Sequence, residues 1–331
     1  MRALLSILIL LIARPALAED PIPRVTPLRP VTTYSIGARD PDTGEIGAAV
    51  QSHWFSVGPL VIWAEAGVGA VATQSMVDPR YGWRGIQMMR EGFSAMEVLE
   101  TLTAQDPAPQ IRQVAMIDAG GLVVAHTGPN CIAEAGHKVG RGYSVQANLM
   151  EKSTVPDAMA EAFEKAEGPL AERLLTALYA AEEEGGDIRG RQSAAIVVVR
   201  AKPSGQPWND RLVDLRVEDH PDPVNELYRL LRLHRGYEQM NAGDLAMEEG
   251  DLAGAERAYA TAVSMMPGSL EARFWHAVAL INAGQEEKAL PMFAEIFARG
   301  ENWRELTPRL VPPGFLKADD ATLARILAAD K

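Results

Sequence analysis

The sequence predicts an α+β chain in which two β-sheets pack face to face between two layers of helices, an αββα sandwich, and a small all-helical domain follows. Two observations predict this architecture. Between residues 33 and 217 the predicted elements alternate in blocks, strands followed by two helices, twice over, and then strands again. Such segregated blocks are expected when helices cover the outer faces of paired sheets. From Glu238 onward the pattern is helical and rich in alanine.

The first two strands are predicted to form a hairpin. Two apolar runs, residues 34–38 and 46–50, flank a cluster of turn-forming residues from Asp40 to Glu45. This arrangement is typical of a β-hairpin. A hydroxyl residue, Thr33, stands at the head of the first run.

The later elements follow from alternation in the strands and from apolar residues spaced three to four apart in the helices. Ser94, with Glu97 three residues later, predicts a helix N-cap. Further strands are predicted at residues 60–63, 67–73, 113–117, 122–126, 142–147, 192–200 and 212–217. Helices are predicted at residues 85–91, 95–104, 155–166, 170–184 and 223–233.

The helical end of the chain repeats itself. Four positions recur with a spacing of thirty-four residues, as Gly250, Ala255, Tyr259 and Ala262 and then as Gly284, Ala289, Phe293 and Ile296. This pattern resembles the tetratricopeptide repeat. Small residues let the two helices of a hairpin touch, and the aromatic residue fills the gap between them. Two repeats cannot build a full superhelix, so they are expected to lean on the first domain or on a partner.

The start of the chain predicts export. Arg2 precedes a short apolar run, and residues 16–18 read as an A-x-A cleavage site. Four prolines mark the next segment as an extended leader. We therefore expect a periplasmic or secreted protein. The predicted parts are a signal peptide (1–18), a proline-rich leader (19–32), the sandwich domain (33–234), the repeats (235–300) and a C-terminal extension (301–331).

Charge and cysteine content narrow the function classes. The chain has 32 basic and 44 acidic residues, and loss of a signal containing Arg2 and Arg14 leaves 30 and 44, a formal net charge of −14. This balance argues against nucleic-acid binding, which needs a cationic surface. No membrane association is expected after signal removal. Cys131 is the sole cysteine, so no internal disulfide is expected. Association into a homodimer is a further expectation.

Five blocks of the sequence, in order, resemble the bacterial and archaeal family called domain of unknown function 1028. They read TYSIGARDPDTGEIGAAVQSHWFSVG, WAEAGVGAVATQSMVDPRYGWRG, HTGPNCIAEAGHKVGRGYSVQANLM, GGDIRGRQSAA and VDLRVEDHPDPVNELYRLLRLH. The resemblance covers about residues 33–234. It implies a fold like that of the N-terminal-nucleophile hydrolases, which agrees with the order of the blocks. The substrate of the family is not established.

In that wider class, a Thr, Ser or Cys at the head of the first strand attacks an amide carbonyl, and its own α-amine, with a pKa of about 8, takes the proton. The resemblance implies that Thr33 is the nucleophile and that Ser52 is also a catalytic residue. Backbone N–H groups at Gly67 and Gly69 are the predicted oxyanion hole. An alternative stays open, in which Thr33 is an ordinary β-branched strand residue.

Polar residues in glycine-rich loops are the predicted substrate-binding groups, and structural roles are the alternative for each. Arginines in such loops can bind a carboxylate, and an amide at a strand end can donate hydrogen bonds. The spacing of the histidines fits no zinc pattern, so neither a metal nor a cofactor is expected. The predicted substrate-binding residues are His53, Arg80, Asn148, Arg189 and Arg191.

Two functions therefore remain open. One is an exported amidohydrolase of the N-terminal-nucleophile type, acting on amide bonds of a small or peptide-like substrate. The other is a non-catalytic periplasmic binding or scaffold protein, whose sandwich and repeats bind another protein. Export alone leaves Glu19 as the first residue, so the hydrolase requires a second cut between Thr32 and Thr33.

Overall fold

The computed structural model describes residues 30–330 of the chain. The predicted signal peptide and leader residues 19–29 lie outside the described residues.

Within residues 30–330, ten strands form two antiparallel sheets. One sheet has six strands in the order β10-β9-β2-β1-β8-β7, and the other has four in the order β3-β4-β5-β6. The strands are β1 (Thr33–Arg39), β2 (Ile46–Ser52), β3 (Ile62–Glu65), β4 (Gly69–Ser75), β5 (Arg112–Asp118), β6 (Val123–Thr127), β7 (Gly136–Gly140), β8 (Tyr143–Ala147), β9 (Ser193–Val199) and β10 (Arg211–Val217).

Eleven α-helices occur among the described residues, together with short 3₁₀ turns. The α-helices are α1 (Gly58–Val61), α2 (Arg80–Arg90), α3 (Ala95–Gln105), α4 (Val155–Lys165), α5 (Leu170–Glu183), α6 (Pro223–Glu249), α7 (Leu252–Met265), α8 (Leu270–Asn282), α9 (Glu286–Arg299), α10 (Glu301–Leu306) and α11 (Asp320–Leu327).

The predicted hairpin is confirmed, with β1 and β2 in register from Thr33 opposite Ser52 to Arg39 opposite Ile46. Its turn is fixed by Asp40, whose Oδ1 accepts hydrogen bonds from the N–H groups of the second and third residues after it. Ser94 caps α3 in a reciprocal pair with Glu97, as predicted.

The sheets lie between helices, and the predicted α+β class is confirmed. α4, α5 and the first half of α6 cover the outer face of the six-stranded sheet, and α2 and α3 cover that of the four-stranded sheet. The inner faces meet each other. Gly37 lies on this inner side, where an added Cβ would sit 3.2 Å from Ile117 Cδ1, so its missing side chain lets the sheets approach.

Two predicted elements have different bounds in the structure. Residues 60 and 61 belong to α1 rather than to a strand. The helix predicted to end near Leu233 continues through α6 to Glu249. Its first half buries Leu227 and Leu231 against the six-stranded sheet, and its second half buries Met240 against α7 and α8. One helix therefore belongs to both halves of the chain, and residues 234 and 235 lie within it.

The recurring positions of the repeat occupy equivalent places. Both glycines have a left-handed backbone, with φ of 80° at Gly250 and 74° at Gly284, and each follows a helix. The other recurring residues are buried where paired helices touch: Ala255, Tyr259, Ala262, Ala289, Phe293 and Ile296. The chain beyond residue 300 adds α10 and α11, which pack on the same core as α8 and α9.

Strand β7 was not predicted, because its sequence GHKVG lacks apolar alternation and its middle residues are exposed. Within residues 30–330, no helix has the length and apolar character needed to cross a bilayer.

Replacing Phe293 by alanine is expected to lower the free energy of unfolding by about 3–5 kcal/mol, because the ring is fully buried and its loss leaves a cavity. Urea denaturation followed by tryptophan fluorescence measures the change. Phe315 is 61% exposed, so Phe315→Ala is the matched control, with an expected change within about 0.5 kcal/mol. Equal losses in the two variants would contradict the packing described for α9.

Candidate functional site

A cluster of polar side chains is buried between the two sheets, at the end where β1 begins. Buried polar groups are costly unless they are hydrogen-bonded. The members of this cluster bond to one another and to nearby carbonyls, and Asn148 Oδ1 is left without a partner among the described residues. Its members come from both sheets, and none is exposed to solvent: Ser35, Gln74, Gln113, Ser144, Gln146 and Asn148.

Gln74 is the centre of the network. Its Nε2 donates to Gln113 Oε1 at 2.7 Å and to the Thr33 carbonyl at 3.1 Å. Ser35 Oγ donates to Gln74 Oε1 at 2.6 Å, which joins the two sheets. Asn148 donates from Nδ2 to Gln113 Oε1 at 2.9 Å and from its backbone N–H to the Thr33 carbonyl at 3.1 Å. The first residue of β1 is thus held by amides from both sheets.

The peptide bond before Thr33 has an unusual set of donors. The Thr32 carbonyl oxygen accepts hydrogen bonds from Ser52 Oγ and, at 3.0 Å, from Arg189 Nη2. Thr33 Oγ1 donates to the Val31 carbonyl at 2.9 Å. This bond directs the Thr33 hydroxyl toward the peptide group between Val31 and Thr32. Two side-chain donors therefore meet at the Thr32 carbonyl, and the Thr33 hydroxyl binds the carbonyl one residue earlier.

The guanidinium of Arg189 is oriented by Asp187. Nε donates to Asp187 Oδ1 at 3.1 Å and Nη2 donates to Oδ2 at 2.7 Å. The Asp187 side chain is fully buried, and its Oδ2 also accepts the backbone N–H of His53 at 3.3 Å. A bidentate pair of this kind fixes the orientation of the guanidinium. The second N–H of Nη2 is thereby directed at the Thr32 carbonyl.

Backbone strain concentrates around the same end of the sheets. Within residues 30–330, three non-glycine residues have a positive φ: Ser56 at 53°, Ser75 at 67° and Leu149 at 56°. Ser75 pairs with Val31, Leu149 follows Asn148, and Ser56 lies in the loop after β2. Such conformations cost free energy and cluster at functional sites.

Leader residues cover this site. Val31 pairs with Ser75 in an antiparallel bridge, and Val31 and Thr32 are 1% and 0% exposed. In the described chain the nitrogen of Thr33 belongs to a peptide bond, so it is not the amine that would activate the hydroxyl.

Two regions of the chain match models of known protein families. Residues 33–227 match the model of a family of unknown function, DUF1028. The chain belongs to the DUF1028 family. Residues 246–306 match a tetratricopeptide repeat model, which confirms the predicted repeats.

One similar solved structure is the crystal structure of protein SPO2555 from Silicibacter pomeroyi, also a DUF1028 protein. It is 31% identical, with a TM-score of 0.55, and the match covers 65% of this chain and 88% of that chain. None of the curated proteins matches the chain.

The structure brings four of the predicted site residues of this DUF1028 protein together: Thr33, Ser52, Asn148 and Arg189. His53 reaches the same place through its backbone N–H, and its side chain is exposed.

Gly67 and Gly69 lie elsewhere. Gly69 pairs with Asp118 at the far end of β4 from Ser75, about 20 Å away at roughly 3.3 Å per residue. The predicted oxyanion hole is therefore not beside Thr33. Spacing along the sequence does not reveal which end of a strand faces the site, and the donors there come from Ser52 and Arg189.

Two predicted arginines form other ion pairs. Arg80 is exposed and binds Asp78 at 2.6 Å. Burial by itself would raise the pKa of Asp78, but the hydrogen bonds from Arg80 outweigh it and hold that pKa below its usual value. Arg191 pairs with Glu182, which also accepts a hydrogen bond from the buried Tyr34 hydroxyl. Burial keeps the pKa of Glu182 raised despite both donors.

Sequence reasoning missed Ser35, Gln74 and Gln113. The sequence does contain a pattern that could have revealed Gln74 and Gln113. Each lies near the end of a predicted strand, in VATQS and RQVAM, as Gln146 does in YSVQA. Within residues 30–330, no group of three or more His, Cys, Asp or Glu side chains is placed to hold a metal ion.

Gln113→Leu is expected to lower the free energy of unfolding by roughly 2–4 kcal/mol. Gln113 Oε1 accepts hydrogen bonds from Gln74 Nε2 at 2.7 Å and from Asn148 Nδ2 at 2.9 Å, and leucine removes this acceptor from two buried donors. Chemical denaturation gives the value. Gln110 is exposed, and Gln110→Leu, the matched control, is expected to stay within about 0.5 kcal/mol of the unchanged protein.

Proposed function

We propose that this DUF1028 protein is a latent amide-bond hydrolase of the N-terminal-nucleophile type, activated when the bond between Thr32 and Thr33 is cut. The observation that carries the proposal is the Thr32 carbonyl, which accepts hydrogen bonds from Ser52 and Arg189 next to the Thr33 hydroxyl. The four packed layers of helix and sheet support it.

The cut is proposed to be made by the chain itself. Thr33 Oγ attacks the carbonyl carbon of Thr32, and the negative charge that develops on the carbonyl oxygen is stabilised by Ser52 and Arg189. The C–N bond then breaks, and the hydroxyl proton passes to the departing nitrogen. Water hydrolyses the resulting ester, which leaves a carboxylate on Thr32 and a free α-amine and hydroxyl on Thr33.

The free amine supplies what the described chain lacks. An α-amine with a pKa of about 8 can accept the Thr33 hydroxyl proton near neutral pH. The same hydroxyl then attacks the amide carbonyl of a small or peptide-like substrate, whose oxygen takes the place of the Thr32 carbonyl. We place this activity outside the cytoplasm, in keeping with the signal predicted for residues 1–18.

Purified full-length chain, incubated alone, is expected to gain a new N-terminus at Thr33, detected by intact mass and N-terminal sequencing. Thr33→Ala is expected to abolish the cut and Thr33→Ser to retain it. Arg189→Ala is expected to slow it by about 10²–10³-fold, the usual effect of losing an oxyanion donor.

The control is Arg84→Ala, which removes an exposed arginine of α2 and is expected to leave the rate unchanged. Circular dichroism checks the fold of each variant. A Thr33→Ala chain cut at the same bond and at the same rate would rule out self-cleavage by Thr33. A cut chain with no amidase activity would rule out the hydrolase.

A groove in the repeats favours protein binding as a second candidate function. The groove holds about 710 Å³ between the second half of α6 and α8. Aromatic and acidic side chains line it, among them Tyr237, Asp244, Glu271, Trp275 and Phe315. A protein retained by the full chain, but not by a chain carrying Trp275→Ala and Phe315→Ala, would identify the partner, and the affinity of the purified pair would test it.

A further inference from the structure

The side chain of Val31 fills an apolar pocket that the folded domain builds around it. Val31 is 1% exposed and packs with Val50 of β2, Val57 and Val61 at α1, and Ala195 of β9. These four residues are themselves fully buried or nearly so. A leader residue thus occupies a site whose walls belong to the domain that follows it.

The backbone of Val31 forms an antiparallel bridge with that of Ser75. Val31 N–H donates to the Ser75 carbonyl at 2.8 Å, and Ser75 N–H donates to the Val31 carbonyl at 3.1 Å. Pairing of this kind recognises any extended peptide, while pockets for alternate side chains select the sequence. The strained backbone of Ser75, with φ of 67°, sets the position of both groups.

Thr32 is recognised through its carbonyl and its size. The carbonyl is held by Ser52 and Arg189, and the side chain is fully buried. Within the described residues, Thr32 Oγ1 has no hydrogen-bond partner. An unpaired buried hydroxyl is unfavourable, so the position accepts a small β-branched side chain but does not require its hydroxyl.

We infer that the surface covered by residues 30–32 is the acyl side of the substrate site. The substrate is then an extended peptide with an aliphatic residue two places before the cleaved amide bond and a small β-branched residue directly before it. This inference rests on the proposed function. Thr33 Oγ forms an ester with the carbonyl carbon, the C–N bond breaks, the amine leaves with the hydroxyl proton, and water releases the peptide acid.

Hydrolysis of peptide anilides tests the pocket without altering the protein. The enzyme is the processed form beginning at Thr33, obtained from the folded full-length chain. The probe is acetyl-Pro-Val-Thr 4-nitroanilide, which copies residues 30–32, and its release of nitroaniline is followed by absorbance. The matched probes carry Asp in place of Val, or Val in place of Thr.

The Asp probe is expected to have a kcat/KM about 10²-fold lower, because it would place a charge in an apolar pocket. The probe with Val in place of Thr is expected to equal or exceed the first, since the hydroxyl it lacks has no partner. Equal rates for the Val and Asp probes would overturn the assigned site and leave the amidase in place.

If neither probe is hydrolysed, the proposed function fails for peptide amides. Measured binding of the corresponding peptide acids then tests the assigned site independently of hydrolysis. Calorimetry then compares the acids acetyl-Pro-Val-Thr and acetyl-Pro-Asp-Thr on the same processed protein. Binding of the first acid that is lost with the second supports the site. Binding that is equal for the two acids, or absent for both, overturns it.

Discussion

The carbonyl of Thr32 accepts hydrogen bonds from Ser52 and Arg189, and these two bonds hold the chain where it enters its first strand. One residue earlier, Val31 pairs with Ser75 of the opposite sheet. Val31 and Thr32 therefore connect the two sheets at this end of the domain. Because these two residues are held by both sheets, they are part of the folded domain in the described chain.

The buried amides link the two sheets at this end of the domain. Gln74 and Gln113 stand directly opposite each other on β4 and β5, and they bond to carbonyls of β1 and β8 in the other sheet. In a low-dielectric interior such bonds reinforce one another, and a missing partner is costly. The network thus determines how far apart the sheets lie and where the Thr33 carbonyl sits.

The two halves of the chain share one helix. α6 packs against the six-stranded sheet with its first half and against the repeats with its second. Glycines allow the close contact in the second half, since a Cβ on Gly243 would lie 2.9 Å from the Tyr259 ring. Two repeats alone do not bury a full core, and this shared helix together with α10 and α11 packs against them.

The amino-acid sequence determined the hairpin, the block order of strands and helices, the capping of α3 and the thirty-four-residue repeat, because each of these rests on local periodicity or turn chemistry. It also pointed to Thr33, Ser52, Asn148 and Arg189. It did not place Gly69, which lies at the wrong end of β4, or find Ser35, Gln74 and Gln113. Only the tertiary structure decided which strand ends meet, since sheet order and long-range pairing bring together residues as far apart as Thr32 and Arg189. Local sequence patterns do not predict such long-range contacts.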